Sequence, residues 1–495
     1  PTALELHINQ RYQLINGEQW FPSEQESRLI FRSIGSSEDL PYPLEGKAKS
    51  LVTAINLNPD LNPREFSAIK LKDQANNNPQ DLDQLRHQPL TAKDSTTYTK
   101  IDSLGRANHF DKFIQIPEAL LDGHLPAGPL RIDLRHIVGY NQFEGWKLGM
   151  GLWTGEEWTG NFSLGGYFKH AFKINQNHYG GGLKWKHASG TTSVSALYNH
   201  DMITTGSISF HNNQSLSTED LLQQLAVSIK DRVERVQLSA RTRLLKNLSS
   251  ELFVKHAEVT PVRAYNFNKA AMEPAPSFTN TEYGARFRWA PNEKLTQTAF
   301  GLIPEPTNGP AIWMNYLAGE LMQSNATQNY SKIEAKVKHT FNTGPSAQTT
   351  IKTMGGFING SPNQSKLYSF LGSYQTYGIE IPGMFATMAP NEFAADRFAS
   401  LFINHRIPLR QNHPGAFKPE IVLQTKAGWG NLSHFPSTNF KTFEQGYFES
   451  GIKLDNLINM LFLKYGIAIH HRYGPYQNQR PIDNWSFNIS LDLNL

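Results

Sequence analysis

The stretch from Arg235 to Leu244 alternates without a break. Val236, Leu238, Ala240, Thr242 and Leu244 fall on one side, and Arg235, Gln237, Ser239, Arg241 and Arg243 on the other. A period of two marks a β-strand with unlike faces. The pattern recurs. Tyr283, Ala285, Phe287 and Trp289 oppose Gly284, Arg286 and Arg288, and Ile333, Ala335, Val337 and Phe341 oppose Lys332, Glu334, Lys336, Lys338 and Thr340. In "NWSFNISLDLNL", the apolar Trp485, Phe487, Ile489, Leu491, Leu493 and Leu495 alternate with polar residues. About sixteen such segments follow one another from Glu144 onward. A soluble sandwich has no use for arginine or lysine at every second residue of strand after strand. A closed barrel crossing a membrane does: one face meets lipid, the other a wet lumen, and closure leaves no bare strand edge.

Averages hide this. Hydrophobic residues are 39% of the chain and the mean hydropathy is −0.47, because half of each barrel strand is polar. No run approaches the 18 or so apolar residues of a transmembrane helix. Aromatic residues, at 11%, suit the girdles of a barrel. The absence of cysteine excludes disulfides, cysteine metal sites, a thiol nucleophile and a lipidated cysteine within these residues. A net charge of +4 over 495 residues is too weak to argue for nucleic acid as a partner. Pro1 is not followed by a charged and then apolar leader, so a signal peptide is expected to lie outside this numbering.

Three regions are expected. Residues 1–70 read as a β-rich periplasmic region: "YQLINGEQWFPSEQESRLIF" forms two strands around Asn16-Gly17, and "GKAKSLVTAINLN" a third. Residues 71–143 read as a connector, or as a segment tucked into the barrel mouth. They are polar, with a short helix after Thr91 and Gly and Pro breaks between Leu120 and Asn141. Residues 144–495 read as the transmembrane barrel. Within it, "SLSTEDLLQQLAVSIKDR" after Ser215 predicts a helix with a Ser/Thr cap, acids in its first turn and a Lys/Arg end, between the fourth and fifth strands. A periplasmic N-terminus would then put this helix on the periplasmic side.

The run "GYNQFEGWKLGMGLWTGEEWTGNFSLGGYFKHAF" from Gly139 resembles an uncharacterised family of Gram-negative outer-membrane β-barrel proteins. So do "WFP" at Trp20, "LTAKDSTTYTKIDSLG" at Leu90, "TMAPNEFAADRFASLFINH" at Thr387, "GYFESGIKLDNL" at Gly446 and "RYGPY" at Arg472. Longer members of that family carry an N-terminal carboxypeptidase-regulatory-like domain, which these residues lack. The resemblance implies fold and location more than activity. A more distant similarity is to BamA-like assembly and translocation barrels. Those have sixteen strands, a periplasmic N-terminus and a long loop entering the lumen before the twelfth strand. "GIEIPGMFATMAPNEFAADR" occupies that place here, without the Val-Arg-Gly-Tyr/Phe motif at the loop's tip. Residues 12–70 faintly resemble the half-barrel of periplasmic lipoprotein carriers.

No catalytic, cofactor-binding or metal site is expected. Gly149 and Gly151 sit in a strand, not at a strand–helix turn, so they do not make a dinucleotide site. Gly180-Gly181-Gly182 reads as strand glycines easing curvature. His470 and His471 point to opposite faces and cannot chelate one ion side by side. The better candidates are lumen cations: Arg235, Arg241, Arg243, Arg286, Arg288, Lys332, Lys336 and Lys338, against few acids such as Glu334. Either they are the ordinary polarity of a lumen, interdigitated with a plug, or they attract anions or an acidic segment. Phe385, Met388 and Phe393 are a poor set for a solvated loop tip, which predicts that their segment folds inward. Glu392, Asp396 and Arg397 then either lock the loop inside or form its solvated end.

The expected protein is therefore an all-β, non-enzymatic outer-membrane barrel of about sixteen strands with its N-terminal region in the periplasm. Its expected partners are outer-membrane lipid and other outer-membrane or periplasmic proteins or lipoproteins. It assists their assembly, translocation or surface display within a larger complex; the alternative is a channel or structural scaffold.

Overall fold

The computed structural model describes residues 4–31, 44–52, 55–57, 69–71, 92–107, 123–187, 190–208, 210, 218–245, 247–262, 276–298, 301–304, 308–324, 326–344, 346–360, 362–369, 371–374, 378–409, 417–433, 441–460 and 463–493. The expected C-terminal residue of the last strand, Leu495, lies outside them. The chain divides into two compact units, residues 1–67 with 410–418, and 68–409 with 419–495.

The smaller unit holds a three-stranded antiparallel sheet of β1 (Leu4–Ile15), β2 (Gln19–Phe31) and β3 (Leu44–Leu51). Asn16 and Gly17 make the β1–β2 turn with φ of 50° and 74°, the left-handed conformation that Asn and Gly tolerate best. One face carries Leu6, Ile8, Tyr12 and Leu14, all exposed. The other is charged, with Lys49 reaching Glu24 at 2.8 Å.

In the larger unit, β4 (Ile69–Leu71) pairs in parallel with residues Leu295 and Thr296, and α1 spans Ala92–Ala107. A closed ring of strands follows. It begins with β5 (His124–Ala127), β6 (Leu130–Asp133), β7 (Val138–Asn141), β8 (Gly145–Thr154), β9 (Phe162–Ala171), β10 (Gln176–Lys186) and β11 (Ser193–Thr204). Helix α2 (Thr218–Leu225) precedes β12 (Lys230–Leu245), β13 (Leu248–Thr260) and β14 (Phe278–Trp289). The hairpin of β15 (Leu295–Thr298) and β16 (Gly301–Pro304) stands outside the ring. The ring resumes with β17 (Ala311–Gln323), β18 (Ala326–Asn342), β19 (Gln348–Gly360), β20 (Arg397–Pro408), β21 (Glu420–Asn431), β22 (Tyr447–Met460), β23 (Leu463–Tyr473) and β24 (Trp485–Leu493).

Residues 124–141, expected in the connector or barrel-mouth segment, thus contribute three short strands to the ring. β6 and β7 lie end to end along β8: Leu130–Ile132 pair with Thr154–Leu152, and Val138–Asn141 with Leu148–Gly145. Counted as one interrupted strand, they are the first of sixteen, with β5 added at the closure. On this count α2 lies between the fifth and sixth strands, not the fourth and fifth. It leaves from the same rim as the segment between β19 and β20, opposite the rim where β24 ends. The helix is also shorter than expected. It ends at Leu225, and Lys230–Arg232, read as its basic end, pair with Thr204–Met202 as the start of β12.

The alternation sets which side chains face out. Leu238, Leu252 and Ile333 are exposed, while Lys332, Glu334 and Lys336 are buried. An exposed apolar belt around a ring with no free edge is a surface for hydrocarbon, not for water. The chain is a transmembrane antiparallel β-barrel, and no helix among the described residues is long and apolar enough to cross a membrane. Leu238, midway along β12 and 55% exposed, tests the assignment. Leu238→Arg should cost roughly 2–4 kcal/mol at the bilayer midplane and deplete the folded, heat-modifiable band on gels. Leu238→Met should leave that band intact.

Candidate functional site

The barrel interior is occupied by the chain that joins β19 to β20. Leu367, Tyr368, Leu371, Phe385, Met388, Phe393, Ala394 and Ala395 are buried there. They form one cluster with the inward Met354 and Ile358 of β19, Phe398 and Phe402 of β20, and Tyr447 of β22. The segment has almost no regular structure, so its backbone needs other partners. Some lie within it: Tyr368 and Ala395 exchange two hydrogen bonds at 2.9 and 3.0 Å, and the Phe385 N–H donates to the Leu371 carbonyl at 2.9 Å. Small inward residues make room for the plug. A Cβ at Gly356 would meet the Tyr368 ring at 2.6 Å, and one at Gly428 the Phe385 ring at 2.9 Å.

The remaining partners come from inward positions of β21, β22 and β23. Glu449 is fully buried and accepts four donors: the Ala386 N–H at 3.0 Å, the Thr387 N–H at 2.7 Å, the Thr387 hydroxyl at 2.6 Å and Lys426 at 2.8 Å. Lys426 also donates to the Met384 carbonyl at 3.1 Å. Gln424 donates to Glu380 at 2.8 Å, and the Gln424 side-chain oxygen lies 2.6 Å from His470 Nε2. Arg472 reaches Glu392 at 2.8 and 3.3 Å and lies over the rings of Tyr447 and Phe393. Three charges on the barrel wall, Glu449, Lys426 and Arg472, therefore each meet the loop.

Of the expected lock residues, Glu392 holds Arg472 of the "RYGPY" stretch. Asp396 accepts from the Ser433 N–H at 2.7 Å and its hydroxyl at 2.9 Å. Arg397 begins β20 on the outward alternation with a half-exposed side chain, and its Nε lies 3.5 Å from Asp396. The expected lumen cations face inward but mostly meet carboxylates. Arg241 and Arg286 share Glu251 at 2.7 and 3.0 Å, and Arg288 and Arg243 share Glu293 at 2.5 and 3.5 Å. Lys332 lies 3.7 Å from Glu334, and Lys336 sits 4.4 Å from the Trp313 ring centroid. Lys338 lines a cavity of about 310 Å³ with Lys352 and Arg406. Arg235 has one long hydrogen bond, to Asn199 at 3.4 Å. Glu251 has no sequence signal as a partner because alternation assigns a face and not a partner, and Glu293 lies in the turn after β14, where there is no alternation to read.

Glu144, His178 and Asp201 bring three possible metal-ligand atoms together. Lysines already occupy the carboxylates: Lys230 and Lys147 lie 2.6 and 2.9 Å from Glu144, and Lys169 lies 2.7 Å from Asp201. A cation would have to displace them, so the cluster reads as an ion network.

The ring closes differently from the rest of its circumference. β23 and β24 pair continuously from Leu463↔Leu493 to His471↔Trp485. On its other side β24 has only the four-residue β5 as a ring neighbour. There the Ile489 N–H donates to the Gly378 carbonyl at 2.6 Å, and the Glu380 N–H to the Ile489 carbonyl at 2.9 Å. The plug segment thus adds a short parallel stretch to the edge of β24. A turn follows, with Pro382 at its second position and Gly383 at its third (φ 78°), returning the Met384 N–H to the Ile381 carbonyl. Ile381 and Met384 pack with Leu222, Ala226 and Val227 at the end of α2, with Ile379 and Leu491 against the cluster. Helix α2 also contacts β7. Leu491, expected on the lipid face, is partly covered for this reason.

Removing Glu449 tests the anchor. Glu449→Ala strands Lys426 and two loop N–H groups, a loss on the order of 3–5 kcal/mol for a broken buried pair. In a chain carrying Ala389→Cys, a bulky impermeant maleimide should label slowly. Adding Glu449→Ala should speed labelling at least tenfold; an unchanged rate would show that the loop is held elsewhere.

No family model and no curated protein matches the chain. Among solved structures it is similar to BamA from Haemophilus ducreyi lacking POTRA domains 1-3, at 10% identity and a TM-score of 0.46, over 72% of this chain and 69% of that one. It is also similar to CdiB from Escherichia coli, at 10% identity and a TM-score of 0.42, over 74% and 63%. For CdiB from Acinetobacter baumannii the values are 10% and 0.39, over 72% and 58%. The chain spans less than two thirds of either CdiB chain.

Proposed function

We propose that this barrel works in the outer membrane of a Gram-negative envelope, with its N-terminal sheet in the periplasm. It assists the assembly, translocation or display of other envelope proteins by opening its wall beside β24. One observation carries the reading: beside β24, whose ring neighbour is the four-residue β5, the described residues supply two backbone hydrogen bonds from the plug segment and the apolar end of α2, where other neighbours share long ladders. In hydrocarbon each unpaired backbone group costs several kcal/mol, so a wall built from a removable segment is useful only if something replaces it. An incoming strand offers the same hydrogen bonds. With β24 ending on the periplasmic side, α2 and the plug enter from outside, clear of clients arriving from the periplasm.

A simple channel fits less well, because the apolar cluster of the plug lies inside the lumen. The absence of cysteine makes a clean test possible. Ile379→Cys with Ile489→Cys should form a disulfide across the bridged pair. The locked protein should deplete particular proteins from the outer membrane, and reductant should restore them. A locked barrel that leaves the outer-membrane proteome unchanged while altering ion conductance would favour the channel.

A further inference from the structure

A cavity of about 290 Å³ lies inside the barrel between β11–β14, the end of α2 and the first residues of the plug. Five cations line it: Lys230, Arg235, Lys255, Lys332 and Lys366. Three carboxylates do so as well: Asp201, Asp231 and Glu282. The carboxylates are engaged. Asp201 accepts Lys169 at 2.7 Å, Tyr167 at 2.9 Å and the Met202 N–H at 2.8 Å. Glu282 accepts Lys366 at 2.9 Å and the Tyr330 hydroxyl at 2.7 Å, and Asp231 accepts Thr205 at 2.8 Å.

The cations are less well matched. Lys255 lies 3.6 Å from Glu282, beyond hydrogen-bond length. Among the described residues Arg235 has no ion-pair partner, and its Nε is buried without a hydrogen bond. Arg235 stands opposite Ala257, and Lys255 is two residues along the same face of β13, so the two are diagonal neighbours. A largely enclosed guanidinium with one long hydrogen bond is costly unless something in the cavity completes it.

We propose that this cavity is an anion site for a phosphate group, held by Arg235 and Lys255 with Lys332 and Lys366 nearby. Lys230 is held by Glu144 at 2.6 Å and Lys332 lies 3.7 Å from Glu334, both carboxylates outside the lining, which leaves Arg235 and Lys255 to face the anion. The guanidinium fork presents paired N–H donors to tetrahedral oxygens, and the ammonium groups add point charges. Asn199 and Asn280 on the lining offer further neutral donors. The phosphate is either a free anion or the headgroup of a lipid. The proposal does not rest on the opening of the seam, although the end of α2 borders both.

The test uses the full chain, delipidated in detergent and titrated with inorganic phosphate and, separately, with dihexanoyl phosphatidic acid, at constant ionic strength. At least one probe should bind saturably at one per chain and raise the unfolding temperature above that in matched chloride. Arg235→Gln and Lys255→Gln, each checked for the folded heat-modifiable band, should weaken binding about tenfold or more. Binding of phosphate alone identifies a free anion, and binding of phosphatidic acid alone a lipid headgroup. Absence of saturable binding of both by the folded wild-type chain would overturn the proposal. So would undiminished binding by the folded variants. Should both variants fail to fold, saturable stabilisation of the wild type by either probe decides alone.

Discussion

A membrane gives a strand no water, so every backbone N–H and C=O in the barrel wall needs a protein partner. That requirement explains the closed ring, and it explains why the ring's weakest place is built as it is. Along most of the circumference long strands satisfy one another. At the closure β5 has four residues, and β6 and β7 are parted by the turn at Leu134–His136. The shortfall on β24 is met by Gly378 and Glu380, which belong to a lumen segment instead of a wall strand. Closure of the wall and placement of the plug are therefore one structural problem.

The plug in turn depends on charges that the lumen supplies. Its irregular backbone would leave orphan donors near Ala386 and Thr387, and Glu449 takes both. Lys426 keeps that carboxylate paired, and Arg472 does the same for Glu392. The stretch at Gly378–Glu380 is held twice, by its backbone on the edge of β24 and by the Glu380 side chain, which accepts from Gln424 at 2.8 Å.

Much of this was legible in the sequence. The alternation in Arg235–Leu244 and Lys332–Phe341 assigned inner and outer faces because lipid and lumen leave each position only one choice. The apolar Phe385, Met388 and Phe393 pointed inward for a similar reason. The strands of residues 124–141 were not legible: at four residues each, with Pro126 inside β5 and Gly128 and Pro129 after it, they are too short to show a period. The partners of the lumen arginines were not legible either. Glu251 meets Arg241 and Arg286 only through the registers of β12, β13 and β14, and alternation carries no register. Arg472 and Glu392 are eighty residues apart, with no local signal joining them.

The central claim is that β24 is sealed by a removable segment. Ile489 and Ile467 stand opposite each other on β24 and β23, at one depth in the membrane. Ile489 gives its N–H to Gly378 of the plug, whereas Ile467 lies in the β22–β23 ladder opposite Leu454. Amide-resolved hydrogen exchange in lipid nanodiscs compares them directly. The account predicts that the Ile489 amide exchanges at least tenfold faster than that of Ile467; equal protection of the two would contradict it.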